Sequence, residues 1–252
     1  MKRLRGDINV WVIVSIVALA FIGLVVFLVI DDNNKAVDYS KYDFNTIIGP
    51  SADNGNIGYH VKGDADAPTL IFEYADYQCP GCASINPRVN KAVEESDGKL
   101  AIVYRSFLLP YHQNGTAAAS AVEAAGLQGY WKQYADKIFA NQGEWEKSSA
   151  SKRTEQFETY FEEVTEGKGD LEQFRKDLAS NAVSRKINFD MGIGKRVDIE
   201  GTPAFYVEGQ LIDTSKASSV VIDDEVVSWD SAQSGDAFVE LLKRIAEVRV
   251  KK

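Results

Sequence analysis

The position of the only two cysteines constrains this fold more than any other feature of the sequence. Cys79 and Cys82 are separated by two residues. Residues 69–74 before them form a short apolar run rich in strand-forming side chains, and apolar residues recur at helical spacing over residues 85–93 after them. The sequence therefore predicts that both sulfurs lie where a buried strand meets the start of a helix.

The segments that follow predict a mixed α/β domain. Residues 100–109 alternate like a second strand, and a strand-helix-strand order favours parallel pairing. Residues 112–195 are rich in helical spacing, residues 202–212 resemble a strand-turn-strand hairpin, and residues 238–248 carry a final amphipathic pattern. We expect one domain over residues 56–250 with a helical insertion at about 112–195.

The N-terminus carries an apolar segment of membrane-spanning length. Residues 8–30 contain no ionisable side chain and exceed the roughly 20 residues that a helix needs to cross a bilayer core. Basic residues precede the segment and acidic residues follow it, so residues 1–7 are predicted to be cytoplasmic. A single transmembrane helix, a polar linker at 31–55 and an extracytoplasmic domain are the expected order. The basic residues are Lys2, Arg3 and Arg5.

A cleaved signal peptide is the competing interpretation of the same segment. Its apolar part is normally 7–15 residues long and ends at a small-x-small site. The segment over residues 8–30 is longer and has no clear site of that kind at its end. We therefore favour a retained anchor in the cell membrane.

Charge and composition narrow the classes of partner. The formal net charge is −9, and the sequence has no long basic run beyond the N-terminus, which argues against nucleic-acid binding. A structural zinc site needs four ligands, and only His60 and His112 are available to supplement the two thiols. We therefore expect no metal site and no cofactor.

The cysteine spacing favours redox chemistry over a structural crosslink. A bridge between Cys79 and Cys82 closes a very small loop and would constrain the unfolded chain little. A sulfur at a helix N-terminus faces unpaired backbone N–H groups, which favour the thiolate, so Cys79 is the expected nucleophile and Cys82 the resolving thiol. Pro80 suits the first helical turn, and Gly81 places no side chain over the sulfurs.

Glu73 is a further candidate for the site. It lies within the apolar run before the cysteines, where a carboxylate is costly unless it is paired or used. Burial would raise its pKa and allow it to exchange a proton with the resolving thiol. The alternative is that Glu73 faces solvent or pairs with a nearby lysine, and the residues alone leave both interpretations open.

Three motifs together resemble one known family. The order strand, Cys79-Pro80-Gly81-Cys82, helix, strand, helical insertion, Gly201-Thr202-Pro203 and hairpin looks like the DsbA-like thiol-disulfide oxidoreductases of the thioredoxin superfamily. Residues 72–76 before the cysteines strengthen the likeness to the family. Residues 109–112, followed by an Ala-rich helix and residues 128–131, resemble the helical block of its anchored members. The likeness covers roughly residues 58–248.

The resemblance implies roles for several residues. It implies a thioredoxin-like fold with an inserted helical subdomain and a cis bond between Thr202 and Pro203, beside the sulfurs and facing an extended substrate peptide. It also implies that Glu73 is a buried acid that assists proton movement. His60 and His112 are not required by the family's chemistry, and we expect both to be structural.

The leading expectation is a membrane-anchored, extracytoplasmic oxidase. Its Cys79–Cys82 disulfide would oxidise reduced exported proteins and be regenerated by a quinone-linked membrane partner of DsbB or VKOR type. The alternatives are a reductase or isomerase that uses the same residues and a non-catalytic peptide-binding module. Two departures from the family pattern leave the redox direction and the partners open. Pro80-Gly81 stands where the best-known oxidases have Pro-His, and residues 214–234 lengthen the segment before the last helix.

Overall fold

The structure, a computed structural model, describes residues 14–22, 36–212, 218–229 and 236–250. The chain divides into two units, Met1–Tyr39 and Ser40–Lys252, and each is described by itself. In the first unit, residues 14–22 form a helix, α1, with exposed apolar side chains. Among the described residues no helix has both the length and the apolar character needed to cross a membrane. The remainder of the predicted transmembrane helix at 8–30 lies outside the described residues.

A five-stranded sheet forms the centre of the second unit. Its strands are β1 (His60–Lys62), β2 (Thr69–Ala75), β3 (Leu100–Ser106), β4 (Ala204–Val207) and β5 (Gln210–Ile212), in the order β1-β3-β2-β4-β5. The β2 and β3 strands are parallel, with Ile71 opposite Ile102, and the other neighbours are antiparallel. The predicted parallel pair and the predicted hairpin are confirmed, whereas β1 was not predicted.

Helices pack around this sheet as the sequence predicts. The connection from β2 to β3 is a single helix, and six helices separate β3 from β4, which confirms a mixed α/β thioredoxin-like fold with a helical insertion. Aromatic residues of the insertion, which include Tyr134, Trp145 and Phe161, share one apolar core with Tyr104 of β3. The helices are α2 (Pro80–Glu94), α3 (Gly115–Leu127), α4 (Trp131–Ala140), α5 (Gln142–Trp145), α6 (Ala150–Thr165), α7 (Leu171–Leu178), α8 (Asn181–Arg196) and α9 (Asp236–Val250).

The long segment before α9 contains a hairpin that the sequence analysis left unassigned. Strands β6 (Ser218–Ile222) and β7 (Glu225–Trp229) pair antiparallel, and Asp223 and Asp224 between them both have positive φ. A two-residue turn with positive φ at both positions matches the right-handed twist of a hairpin. Val220, Ile222 and Val227 are buried in a second apolar core beside α9. Residues 218–229, which belong to the segment that is longer than in the family pattern, therefore form regular structure.

Residues 40–55 of the predicted linker pack against other parts of the second unit. The Tyr42 ring meets Phe189 of α8 edge-on at 4.9 Å, and its hydroxyl donates to Asp53 at 2.7 Å. Arg105 of β3 donates to the backbone carbonyl oxygens of Phe44 at 2.9 Å and Thr46 at 3.2 Å. The buried Arg105 side chain of β3 and the aromatic contact with Phe189 of α8 therefore both hold this segment.

Candidate active site

Both cysteines lie at the N-terminus of α2. Cys79 is the N-cap residue, with extended backbone angles, and Pro80 occupies the first turn. Cys82 is completely buried, whereas Cys79 is 7% exposed, and both are free thiols. Proline fits the first turn because its missing N–H would have no partner there. The structure therefore places both sulfurs at the strand-to-helix junction that the sequence predicts.

The loop before β4 brings a distant segment against the first sulfur. The Cys79 thiol donates to the carbonyl oxygen of Thr202 at 3.2 Å. The Thr202–Pro203 peptide bond is cis, as the resemblance implies. A Cβ atom placed on Gly81 would lie 3.1 Å from Cδ of Pro203, so the residue between the cysteines has little room for a side chain. Thr202, Pro203 and Gly81 therefore form one surface beside Cys79.

The electrostatic environments of the two thiols differ sharply. A hydrogen bond from Cys82, together with backbone N–H groups at the start of α2, outweighs burial and lowers the pKa of Cys79 to about 5. Burial, together with the neighbouring Cys79 sulfur, raises the pKa of Cys82 well above its usual range. Near neutral pH the site therefore holds a thiolate at Cys79 and a protonated thiol at Cys82.

Glu73 lies behind the sulfurs and not at the surface. Its side chain is 1% exposed, and it stands opposite Tyr104 in the parallel β2–β3 register. Its Oε2 atom is buried and has no hydrogen-bond partner among the described residues. Burial raises the pKa of Glu73, while the charge of Lys62 opposes that shift. The solvent-facing alternative for Glu73 is wrong, and the lysine alternative is partly right because a buried lysine is nearby.

Lys62 is a residue of the site that sequence reasoning missed. It is 1% exposed, and its ammonium group donates to Oδ1 of Asn86 on α2. It also lies 3.7 Å from a carboxylate oxygen of Asp136 on α4. Burial lowers the pKa of Lys62, and the charges of Glu73 and Asp136 oppose that shift. A lysine in a three-residue strand gives no signal from which its burial beside the thiol site could be predicted.

Two stacked tyrosines belong to the same buried cluster as the thiols. The rings of Tyr77 and Tyr104 are 5.1 Å apart, and Tyr104 donates to the carbonyl oxygen of Ala75 at 3.3 Å. Burial raises the pKa of each phenol well above its usual range, so both remain neutral at working pH. The Tyr77 hydroxyl has no hydrogen-bond partner among the described residues.

Asp76 fixes the loop that leads into the cysteines. It is completely buried, and its carboxylate accepts from the backbone N–H groups of Gln78 and Leu109, each at 2.8 Å. The same carboxylate lies 2.8 Å from Nδ1 of His112. This places His112 in a loop-supporting contact, in keeping with the structural role expected for it.

The other histidine lies within the packed interior. His60 pairs with Glu123 of α3 at 2.7 Å, and its ring stacks on Trp131 at 4.7 Å. This partner explains its burial and agrees with a structural role. Across the part of the chain that the structure describes, no three or more His, Cys, Asp and Glu side chains are grouped so that they could hold a metal ion.

A groove of about 520 Å³ opens beside the first sulfur. Gly81, Ile85 and Arg88 of α2 form one wall, and the Thr202-Pro203 loop and Leu211 form the other. The Leu211 side chain is 47% exposed, so the groove offers apolar surface as well as the charge of Arg88. An extended peptide that reaches Cys79 could lie along it.

Comparison with known proteins places the chain in a family. Residues 56–231 match the family model described as Thioredoxin. Because this region is more than half of the chain, the chain belongs to the thioredoxin family. The predicted superfamily is thereby confirmed.

Two further matches are a sequence similarity and a likeness of fold to proteins of this kind. A probable disulfide bond formation protein D from Bacillus cereus is 28% identical over 176 residues, which cover 66% of this chain and 80% of that protein. The crystal structure of α-DsbA1 from Wolbachia pipientis has a TM-score of 0.56 at 20% identity and covers 77% of this chain and 93% of that one. The resemblance to DsbA-like proteins is therefore confirmed.

The chain is also similar to one segment of some much longer proteins. A protein named Na⁺/H⁺ antiporter NhaA 1 from Salinispora arenicola is 30% identical over 152 residues, which cover 60% of this chain and 22% of that protein. The chain therefore spans about a fifth of the length of this curated relative.

Proposed function

We propose that this chain is a membrane-anchored, extracytoplasmic thiol-disulfide oxidoreductase that oxidises cysteine pairs of exported proteins. The observation that carries the proposal is the contrast between the two thiols of one Cys-x-x-Cys site. Cys79 is 7% exposed and has a pKa lowered to about 5, while Cys82 is completely buried and has a raised pKa. A stable thiolate at Cys79 favours the reduced form of the site.

The size of this effect favours the oxidising direction. The thiolate exists only in the dithiol form, so its stabilisation makes the disulfide a better electron acceptor. A pKa of about 5 in place of an ordinary value near 8.5 stabilises the dithiol form at pH 7 by about 3 kcal/mol, on the order of 60 mV. That contribution is about two fifths of the roughly 150 mV that separates thioredoxin from DsbA, and it acts in the oxidising direction.

The proposed reaction transfers two electrons from substrate to enzyme. A substrate thiolate attacks the Cys79 sulfur, the Cys79–Cys82 bond breaks, and Cys82 leaves as a thiolate that takes a proton from Glu73. A second substrate thiolate then attacks the substrate sulfur of the mixed disulfide and expels Cys79 as a thiolate. The products are a substrate disulfide and the reduced Cys79–Cys82 pair, with Glu73 to be reprotonated.

We assign the remaining site residues to substrate positioning. Thr202 and Pro203 would bind an extended substrate strand beside Cys79, and the groove along Ile85 and Leu211 would hold apolar side chains of an unfolded protein. Pro80 and Gly81 form the active-site loop, where the absence of a side chain on Gly81 keeps the approach to the sulfur open. No metal or cofactor is needed by this scheme.

The proposed location follows from the N-terminal sequence. We propose that residues 8–30 span the membrane once, that residues 1–7 face the cytoplasm, and that residues 31–55 lead to an extracytoplasmic domain at 56–250. The exposed apolar side chains of residues 14–22 support this assignment. A quinone-linked membrane protein of DsbB or VKOR type would reoxidise the cysteines.

A second candidate is a peptide-binding module without turnover. The groove lined by Ile85, Pro203 and Leu211 supports it, because a peptide could lie there whether or not the cysteines exchange. A reductase or isomerase that uses the same residues differs from the proposed oxidase only in potential and partner.

The proposal is tested with the full chain purified in a mild detergent. The oxidised protein is mixed with a reduced, unfolded secretory protein, and disulfides formed in that substrate are counted by alkylation. We expect one substrate disulfide per Cys79–Cys82 pair and no reaction for Cys79→Ser. When Cys82→Ser is mixed instead with the disulfide form of the substrate, Cys79 should attack that disulfide and remain trapped as a mixed disulfide, because no resolving thiol is present. The reduction potential is measured in parallel by equilibration with glutathione buffers.

The potential distinguishes the alternatives. A value nearer the roughly −120 mV of DsbA than the roughly −270 mV of thioredoxin supports the oxidase, and a value at the thioredoxin end supports a reductase. Absence of any exchange by the wild-type protein would support the binding module.

A further inference from the structure

A carboxylate of the helical insertion reaches the buried lysine behind the thiols. Asp136 lies on α4, outside the five-stranded sheet, and Lys62 lies on the edge strand β1. One Asp136 oxygen, Oδ1, is 3.7 Å from Nζ of Lys62. The Lys62 side chain is 1% exposed, so its charge depends on the few acidic and polar groups around it.

The Asp136 carboxylate is held by donors from both of its sides. Asn86 and Asn90, one turn apart on α2, donate to Oδ1 at 2.8 Å and 3.0 Å. Lys132, one turn earlier on α4, donates to Oδ2 at 3.1 Å. Burial raises the pKa of Asp136, but Lys62 and these donors outweigh it and leave the pKa lowered. Asp136 is therefore a fixed anion between the active-site helix and the insertion.

Glu73 competes with Asp136 for the same ammonium group but lacks such support. Lys62 also donates to Oδ1 of Asn86, so α2 fixes the position of its Nζ. The Oε2 atom of Glu73 is buried without a hydrogen-bond partner among residues that the structure describes. Pairing of Lys62 with Asp136 is favoured over pairing with Glu73, because hydrogen bonds already stabilise the charge of Asp136 and Oε2 of Glu73 receives none from the described part of the chain.

We propose that Asp136 is a positioning residue which, by anchoring Lys62, keeps Glu73 protonated and able to supply the proton that Cys82 needs as it leaves. This inference rests on the proposed thiol-disulfide function and extends it to the helical insertion. Removal of the Asp136 charge would leave Glu73 as the one carboxylate close to Lys62, and Glu73 would then ionise more readily. The insertion would thus set the pH range of the thiol chemistry.

The titratable groups that face Glu73 come from four elements. They are Lys62 of β1, Tyr104 of β3, Cys82 of α2 and Asp136 of α4, together with Tyr77 of the loop before α2, and all interact electrostatically with Glu73. Tyr77 and Tyr104 remain neutral because burial raises the pKa of each well above its usual range. In the disulfide form Cys82 has no proton to lose, so Lys62 and Asp136 are the groups that control the ionisation of Glu73.

The test uses the oxidised full chain in detergent and compares three variants. The rate constant for reduction by dithiothreitol is measured against pH and divided by the thiolate fraction of the reagent. In the wild type this normalised rate should fall as Glu73 loses its proton. Asp136→Asn should move the midpoint of that fall to lower pH, and Lys62→Met should move it to higher pH, each by about one pH unit. Glu73→Gln should abolish the pH dependence.

Asp136 and Lys62 are in contact, so a purely structural disturbance should move the midpoint in the same direction in both variants. Shifts of opposite sign therefore indicate an electrostatic role. Asp136→Glu, which keeps the charge, should return the midpoint toward the wild-type value. Glu163→Gln is the matched control. Glu163 of α6 is half exposed and pairs at 2.7 Å with Lys137 of α4, the helix that carries Asp136, and we expect no shift from this change. If Asp136→Asn does not fold, Asn90→Ala, which removes one donor to Asp136, must produce a smaller shift in the same direction.

A second readout separates this inference from the proposed function. The infrared band of the protonated Glu73 carboxyl, identified by its loss in Glu73→Gln, is titrated in the wild type and in Asp136→Asn. Equal midpoints in the two proteins, with normal disulfide exchange by the wild type, would overturn the role of Asp136 and leave the proposed function intact. Loss of exchange in the wild type with a shifted infrared midpoint would overturn the function and keep the electrostatic coupling.

Discussion

The thiol of Cys79 donates to the carbonyl oxygen of Thr202 at 3.2 Å, although the two residues are 123 positions apart. The contact joins the start of α2 to the loop before β4, so the nucleophile and the proposed substrate-binding loop form one surface. The Cys79 sulfur has polar neighbours on both sides, because Cys82 and the backbone of α2 approach it from the other direction. Its reactivity is therefore set by two segments that are remote in sequence.

The first prediction concerns the reactivity of the two thiols. In the reduced native protein, alkylation of Cys79 by iodoacetamide should follow thiolate formation with a midpoint near pH 5, because the pKa of Cys79 is lowered to about 5. Cys82 should stay unmodified, since it is completely buried and its pKa is raised. Rates at several pH values, with modified residues identified by mass spectrometry, measure both.

The Cys82→Ala variant provides the control for the cause of this shift. The hydrogen bond from Cys82 is the largest contribution that lowers the pKa of Cys79. Its loss should move the alkylation midpoint upward by about one pH unit or more. A wild-type midpoint close to the ordinary value of about 8.5 would show that the thiolate is not stabilised.

The second prediction concerns the stability of the dithiol form. The folded-state pKa of Cys79 is below its unfolded value, so its contribution is complete above the unfolded pKa and is lost as the pH falls through the folded pKa of about 5. Between pH 5 and pH 7 the free energy of unfolding of the reduced protein should therefore rise by about 2 kcal/mol relative to reduced Cys79→Ser. Urea unfolding of both proteins at the two pH values measures the difference.

The disulfide form gives an independent comparison for the same experiment. It contains no Cys79 thiol, so this contribution should be absent when oxidised wild type is compared at the two pH values. Measurements should stay below about pH 8, because the raised pKa of Cys82 acts in the opposite sense at higher pH. A reduced protein whose pH dependence equals that of Cys79→Ser would exclude thiolate stabilisation in the folded state.

Local sequence patterns predict the central unit of the fold correctly. The β2 strand is buried along most of its length, and α2 repeats its apolar residues every three or four positions, so each pattern is visible within a few residues. The cysteines are located by the junction between these two patterns. Their partners at Thr202 and Pro203 were reached through the family resemblance, because no local pattern connects the two segments.

The missed elements lack such local information. The β1 strand has three residues, too few to show a period, and Lys62 within it reads as an ordinary surface lysine. Asp136 likewise occupies a polar position of an amphipathic helix, and its contact with Lys62 depends on tertiary packing. In the β6–β7 hairpin, Val and Ile residues flank Asp223 and Asp224, which is a usable turn signal, although the usual glycine is absent.

The third prediction concerns the link between the two sheets. The Gln210 side chain donates to the carbonyl oxygen of Val221 at 2.6 Å and accepts from its N–H at 3.0 Å, as a neighbouring strand would. Gln210→Ala should lower the free energy of unfolding by about 1–2 kcal/mol, because both hydrogen bonds are lost. Hydrogen exchange at the Val221 amide should become faster, which mass spectrometry or NMR can measure.

A single-atom change separates the two bonds. Gln210→Glu can still accept from the Val221 N–H but can no longer donate to its carbonyl, so we expect an intermediate loss of stability. Exchange at Val221 that is unchanged in Gln210→Ala would mean that the hairpin is held by its buried valines alone.

The fourth prediction concerns the buried cation that holds residues 40–48. Arg105 is 3% exposed and donates to the Tyr74 hydroxyl at 2.8 Å as well as to the carbonyl oxygens of Phe44 and Thr46. Its guanidinium also lies over the Phe72 ring at 4.4 Å. Arg105→Met keeps much of the apolar volume but leaves the buried Tyr74 hydroxyl and the carbonyl oxygens of Phe44 and Thr46 without this donor. We expect a loss of about 3 kcal/mol in unfolding free energy, measured by urea denaturation.

The site of proteolytic cleavage in Arg105→Met tests which segment the cation holds. Because Arg105 bonds to the backbone of residues 44–46, its loss should make proteolytic cleavage near these residues faster while the thiol reactivity of Cys79 stays close to the wild-type value. Arg244→Met is the matched control, since Arg244 is exposed and makes one hydrogen bond, to the carbonyl oxygen of Ser228 at 3.1 Å. It should cost less than about 1 kcal/mol and leave the cleavage pattern unchanged. Equal cleavage near residues 44–46 in both variants would show that the aromatic contacts of Tyr42 hold this segment without the cation.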